Sequence, residues 1–333
     1  MKSLKAKILF GIVAGLLILF PVAGEAATTL KFAHVFAPGS LEDRCINSFA
    51  QQVEKRTNGE IKYQIFPAGQ LGDIPASYQG MSIGTIDNFF VEITLLGYLK
   101  GHEEFFVGQV PYLFDTVEDA RRIYNSEAYA PLFERVRKEK GIRVLAVRGD
   151  RASRSINTTK GPIFTPADCK DIKIRVMPIP VSIKNFEAWG FKPTPVAWNE
   201  LFMALKQGLV EGQDNGLDVT VPNKFYEVAR YYAIADQVHS LYGWYMSEKA
   251  WNKIPEKYRK IFVEEAKTAG DLETELGIQR QIDDLNTMLK AGVRVTIPNR
   301  FAFREASKDV YKEFEGKLWP AGLVEKIRAM QKK

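Results

Sequence analysis

The chain has 333 residues, of which 46% are hydrophobic and 26% charged, and it carries a formal net charge of +6. A length near 300 residues suits two lobes better than one core. The mild basic excess tolerates anionic ligands but, lacking clustered Lys/Arg patches, excludes a nucleic-acid partner. Cys45 and Cys169, with the scattered His34, His102 and His239, make no ligand cluster, so no metal and no other cofactor is expected.

The first residues, Met1 to Lys7, are basic, Ile8 to Val22 are apolar, and Gly24-Glu25-Ala26 puts small residues where a signal peptidase reads. Residues 1–26 are therefore expected to be a cleaved signal peptide that sends the chain to the periplasm. The apolar run is shorter than the roughly 20 residues a membrane span needs, so no anchor is expected. Thr28–Val35 reads as a strand. Ser40 is placed to cap a helix over Leu41–Arg56, where Ile46, Phe49, Ala50 and Val53 recur at helical spacing. Ile61, Tyr63 and Ile65 alternate with polar residues as a second strand. The turn Phe66–Asp73, a helix over Ala76–Gly84 and a strand over Ile86–Ile93 follow.

Strands alternating with helices imply a parallel α/β lobe. Ligands of such sheets lie beyond the strand C-termini, where Glu92 stands. It is a candidate acceptor for a hydroxyl or amine, or a partner for an arginine; the alternative is a solvated strand-end carboxylate. A helical pattern over Glu118–Lys138 is interrupted at Pro131, and Ile142–Val147 reads as a strand.

A second lobe begins around Gly149–Arg154. In Asp171–Met177, Ile172, Ile174 and Val176 alternate with Lys173 and Arg175, a short strand that Pro178 and Pro180 end. Arg175 is a candidate fork for a carboxylate, against the alternative of a surface ion pair. A helix ending at Gly190, an extended piece over Phe191–Val196, a helix capped by Asn199 and a polar turn over Glu211–Gly216 follow. Asn215 in that turn can donate and accept.

These stretches carry a family resemblance. TPADCKDIKIRVMP and NELFMALKQGLVEGQDN, with FPAGQLGD and GQVPYLF before them and MSEKAW after, resemble the substrate-binding proteins of tripartite ATP-independent periplasmic (TRAP) transporters. The likeness runs from about Leu30 to the C-terminus; Cys169, Asp171 and Gly216 depart from the family pattern. It implies an α/β, two-lobed periplasmic binding protein fold, each lobe a mostly parallel sheet flanked by helices, joined by crossing strands and a long helix. It also implies that Arg175 holds the ligand carboxylate, that Arg154 adds a second guanidinium with Arg151 as its competitor, and that Glu92 and Trp198 face the cleft. Tyr242 and His239 are further candidates.

Beyond Asn215, Tyr231–Ser240 is expected to cross back to the first lobe as a strand. Leu241–Ser247 is aromatic-rich, Pro255–Ala291 is one long helical pattern, Val293–Ile297 reads as a strand, and Phe301–Leu318 and Gly322–Met330 as closing helices. The expected division is residues 27–150 plus 239–278 for lobe one and 151–238 plus 279–333 for lobe two.

The function expected is capture of a small organic acid anion, a carboxylate with a leaning towards hydroxy or sugar acids, for delivery to the membrane subunits of a TRAP permease. The chain is expected to be monomeric and to do no chemistry. Three alternatives stand beside it: a sulfonate such as isethionate as ligand, a binding protein feeding a sensor kinase, or a secreted serine hydrolase. The hydrolase would use Ser82 in Gly80-Met81-Ser82-Ile83-Gly84, but a nucleophile elbow needs a strand before the serine and a helix after it, and the order here is reversed.

Overall fold

The structure, a computed structural model, describes residues 27–331; the expected signal peptide lies outside the described residues. In chain order the strands are β1 (Thr28–His34), β2 (Ile61–Phe66), β3 (Asn88–Glu92), β4 (Ile142–Asp150), β5 (Arg154–Thr158), β6 (Lys173–Val176), β7 (Lys192–Pro195), β8 (Gly212–Asn215), β9 (Tyr231–Val238), β10 (Leu241–Ser247) and β11 (Arg294–Thr296). They form two sheets, one ordered β2-β1-β3-β10-β4 and the other β11-β9-β5-β8-β6-β7. β1 runs parallel to β2 and β3, and β6 parallel to β7 and β8. β10 and β5 run antiparallel to both of their neighbours. The two-sheet α/β architecture that the resemblance implies is present.

Local chemistry sets the element ends. Ser40 Oγ accepts from Asp43 N at 3.2 Å and caps the helix Leu41–Arg56. Asp73 does the same for Ile74–Ile83, which stops at Gly84 in the left-handed region (φ +82°). One face of the first sheet is covered by the helix Leu41–Arg56 and the long helix Glu256–Lys290. Phe32, Phe49, Phe90 and Trp244 pack there with Phe262, and the Phe90 and Trp244 rings lie 4.4 Å apart.

The long helix is pressed against β4. A Cβ added at Gly270 would stand 2.3 Å from Arg148 Cβ and 2.8 Å from the Arg148 carbonyl carbon. Gly270→Ala is therefore expected to destabilise the fold by about 1–3 kcal/mol through overpacking, although alanine is intrinsically the better helix former by about 1 kcal/mol. Urea unfolding checks this; a variant as stable as the parent would show that the helix and β4 can separate freely.

Several sequence expectations are corrected. The polar turn at Glu211–Gly216 is strand β8, fully buried between β5 and β6. β9 stays in the second sheet; the chain crosses at His239-Ser240, and the aromatic segment is the returning strand β10. Glu118–Lys138 is two helices, Val117–Tyr124 and Ala130–Lys140, with Pro131 in the first turn of the second, where its missing N–H is harmless. Asn199 caps nothing: Trp198–Glu200 form a 3-10 turn that leads into Leu201–Lys206. The expected helix Phe301–Leu318 is Arg300–Ser307 followed by a 3-10 turn, Val310–Glu313. Cys45 and Cys169 are buried free thiols.

Candidate functional site

Between the sheets lies a cleft with about 720 Å³ of empty space, counting its mouth. Strand ends build it. Val35 and Phe36 follow β1, Glu92 ends β3, Met177 and Pro178 follow β6, and Asn215 ends β8. These are the C-terminal ends of parallel strands, the usual ligand edge of an α/β sheet. The antiparallel strands β5 and β10 deliver Arg154 and Tyr242 from their N-terminal ends.

Of the residues singled out in the sequence, Arg175, Arg154, Asn215, Glu92, Trp198 and Tyr242 line this cleft. Arg151, the competitor of Arg154, lines it too, so both arginines are present. His239 does not. It sits in the crossover to β10 and lines a separate surface groove with Tyr112, Asp236 and Arg304; its imidazole is held below the ordinary histidine range by burial. Ser82 lies inside the helix Ile74–Ile83, ahead of β3, and has no strand-to-helix turn. Tyr98 and Asp73 line the cleft and were missed. Tyr98 comes from a 3-10 turn with no periodic signal, and Asp73 reads in sequence only as the end of the Phe66–Asp73 turn.

Most of the charge in the cleft is internally paired. The Glu92 carboxylate is 1% exposed. Its Oε1 accepts from Thr94 Oγ1 and Gln109 Nε2, each at 2.6 Å, and its Oε2 pairs with Arg151 and lies 3.7 Å from Arg154 Nη1. Burial alone would raise this carboxyl, but the two guanidinia and the Thr94 hydrogen bond outweigh it and hold it below the usual range. Glu92 is thus an arginine partner, not a strand-end carboxylate in water. Arg154 donates from Nε to Asp214 Oδ2 and from Nη2 to the Asp214 carbonyl, both at 2.7 Å. Arg151 Nε reaches Asp218 Oδ2 at 3.4 Å, and Tyr242 OH donates to the same oxygen at 3.0 Å.

Arg175 differs. It is 2% exposed, and among the described residues no carboxylate lies within 4.0 Å of its guanidinium. Its Nε donates to the Val196 carbonyl at 3.0 Å, which fixes the plane and leaves the terminal nitrogens directed elsewhere. Burial lowers its pKa to about 10; the Asp214 charge opposes that shift and the Arg154 charge adds to it. A buried guanidinium without a counter-ion is costly, and an anion entering the cleft would relieve that cost.

Behind the cleft, Glu42 and Glu273 are 0% and 2% exposed. Glu273 faces Glu42 from the helix Leu41–Arg56, Asp218 from Leu217–Thr220, Asp150 from β4 and Arg280 from its own helix. Burial first, then the neighbouring carboxylates, raise Glu273 well above its ordinary 4.5, and burial with Asp218 raises Glu42. A carboxyl raised in this way binds its proton more tightly folded than unfolded. Its contribution to stability is present below about pH 4.5 and is lost as pH rises through the folded value. Glu273→Gln is therefore expected to gain stability relative to the parent as pH goes from 4 to 8, read from urea midpoints. A difference that stays constant over that range would mean Glu273 does not hold a proton.

Comparison with known proteins places the chain among acid-carrying relatives. The model of the bacterial extracellular solute-binding proteins, family 7, matches residues 32–317. The sialic acid-binding periplasmic protein SiaP of Vibrio cholerae is 28% identical over 308 residues, 92% of this chain and 94% of that protein. Among solved structures, a TRAP periplasmic solute binding protein from Ochrobacterium anthropi with bound L-fuconate is 29% identical, with a TM-score of 0.84 over 92% of this chain and 100% of that one. Another, from Polaromonas sp. JS666 bound to D-erythronate, is 27% identical, with a TM-score of 0.83 over 91% and 98%.

Proposed function

The chain belongs to the bacterial extracellular solute-binding proteins of family 7, and from that we propose that its cleft captures a small organic acid anion for delivery to the membrane subunits of a TRAP-type permease. The observation that carries the reading is Arg175, a buried guanidinium in the cleft with no carboxylate partner among the described residues. A carboxylate would complete it through two parallel N–H···O bonds. Arg154 and Arg151 are already engaged by Asp214 and Glu92, so they position the site and add field rather than provide the primary contact. Asn215 and Trp198 supply an amide and an aromatic wall. The relatives named above are described as binding sialic acid, L-fuconate and D-erythronate, all carboxylates.

The two sheets act as lobes, 27–150 plus 239–278 and 151–238 plus 279–333, that close on the ligand about the β4–β5 and β9–β10 crossings. Contacts across the mouth support this: Trp198 Nε1 donates to the Val35 carbonyl at 3.2 Å, and Gly69 in the Phe66–Asp73 turn abuts the Asn199 amide. The exported protein is monomeric and begins at Ala27. Among the described residues no helix is long and apolar enough to cross a membrane.

Titration calorimetry of the chain beginning at Ala27 with small organic acids tests the reading, with small-angle scattering on the same samples. At least one acid is expected to bind at one site per chain and to compact the protein. Binding only of uncharged solutes, or turnover of a bound ester that Ser82→Ala abolishes, would overturn it.

A further inference from the structure

We propose that the acid taken by this site is a monocarboxylate with an apolar body carrying at most one or two polar substituents, rather than a dicarboxylate or a polyhydroxylated sugar acid. The inference rests on the acid-binding reading of the cleft and narrows it to a chemical class. It stands on which polar atoms of the cleft remain free and on what its walls are made of.

Among the cations, Arg151 is matched by Glu92 and Asp218, and Arg154 by Asp214 and Glu92. Arg175 alone of the three cleft arginines has no carboxylate within reach among the described residues. One anionic head therefore finds a partner. A second carboxylate would have to break the Glu92 or Asp214 pairs or lie buried without a cation, and a buried unpaired charge is strongly disfavoured.

The neutral polar groups are largely spent as well. Both Glu92 oxygens are occupied. Tyr242 OH lies between Asp218 at 3.0 Å and Glu42 at 3.3 Å. The Asn215 amide nitrogen donates to Gln213 Oε1 at 2.6 Å. At the rim, Asp73 uses one oxygen to cap its helix. Capacity within the cleft remains on the terminal nitrogens of Arg175, on Arg154 Nη1 and Arg151 Nη2, on the Asn215 amide and on the Tyr98 hydroxyl. The Tyr98 ring lies in the field of Arg175 and Arg154, and burial pushes its hydroxyl up to about 12, so it stays protonated as a donor. These can serve a carboxylate and one or two hydroxyl or oxo groups beside it.

The remaining surface is mostly apolar. Phe36, Ile74, Leu95, Met177, Pro178 and Val219 wall the cavity. A sugar acid would bring a hydroxyl on nearly every carbon into that wall, each surrendering its water without a replacement partner. An aliphatic or aromatic tail would instead bury its area against it.

The probes are 4-methyl-2-oxopentanoate and phenylpyruvate as apolar monoacids, L-fuconate as a sugar acid and succinate as a dicarboxylate, each titrated into the chain beginning at Ala27 and into Arg175→Ala. At least one apolar monoacid is expected to bind about 100-fold or more tighter than L-fuconate, the discrimination an apolar pocket achieves against an added hydroxyl, and tighter than succinate. Arg175→Ala should lose that binding. If L-fuconate or succinate binds as well as or better than both apolar acids and Arg175→Ala abolishes it, the cleft is an acid site and the apolar class is wrong. If neither apolar acid binds, the apolar class is wrong; if Arg175→Ala binds an acid as the parent does, the acid reading through Arg175 fails and this inference with it.

Discussion

Arg175→Lys is expected to weaken acid binding nearly as much as Arg175→Ala, by roughly a hundred- to several-thousand-fold. β6 fixes the Arg175 backbone, pairing in parallel with β7 and β8 on either side, and the Nε–Val196 bond fixes the guanidinium plane. The fork is thus held ready before ligand arrives, and little entropy is lost on binding. Hydrogen bonds to charged groups contribute roughly 1.5–3 kcal/mol each. Truncation also leaves the ligand carboxylate buried without its partner, so the whole loss is about 3–5 kcal/mol, at about 1.4 kcal/mol per decade of Kd. Lysine keeps the charge but places a point donor on a flexible stem and cannot reproduce the plane. Binding should hold across neutral pH, where the guanidinium keeps its charge. Fold stability should not suffer, because Ile174 and Val176, not Arg175, form the packed face of β6. Calorimetry and thermal melts of both variants decide it: lysine binding within about threefold of arginine, about 0.7 kcal/mol, would rule out the two-pronged clamp.

Glu92→Ala is expected to cost stability as well as binding, about 3–5 kcal/mol. The change removes the acceptor of Thr94 and Gln109 and leaves the buried Arg151 and Arg154 without the anion they share. For a chain of this size a melting temperature lower by on the order of 10 °C follows. Glu92→Gln keeps the shape and loses the charge, so it should fall between. Its pH dependence is diagnostic. The Glu92 carboxyl is depressed in the fold, so its contribution is present above the unfolded value of 4.5 and is lost as pH falls through the folded one. The parent should lose this advantage over Glu92→Gln in acid. Calorimetric melts at pH 7 and in acid test both statements; an alanine variant melting within about 2 °C of the parent, the shift of 1 kcal/mol or less, would make Glu92 a ligand group with no structural duty.

The sequence was readable where polarity and burial agree. β1, β2, β6, the Ser40 cap and the long helix each follow from apolar spacing or a capping side chain, and each is present. It was not readable where polar residues are buried. Gly212–Asn215 looks like a turn because it is polar, yet it is a central strand. Its side chains are satisfied by one another and by the core: Gln213 by Thr220, Asn215 by Gln213, Asp214 by Arg154. No periodicity records such pairing. The same holds for the two arginines. Position alone could not choose between Arg151 and Arg154 because each has its own anion from a different segment, Asp218 for one and Asp214 for the other. His239, a further candidate in the sequence, instead lines a separate surface groove at the crossover.

The place of β10 dictates an order of assembly. β4 is an edge strand whose only sheet neighbour is β10, and β3 meets β10 on its other side. A chain that has emerged only as far as Ser240 therefore has every other strand of the first sheet but cannot close it: β3 and β4 both present unpaired backbone edges, the surfaces that invite wrong partners. The seal is made by seven residues, Leu241–Ser247, that arrive after almost the whole second sheet. Truncation anywhere before them should leave the first sheet unable to close. A nascent chain held open until its last third is made is one that a translocation channel can still thread.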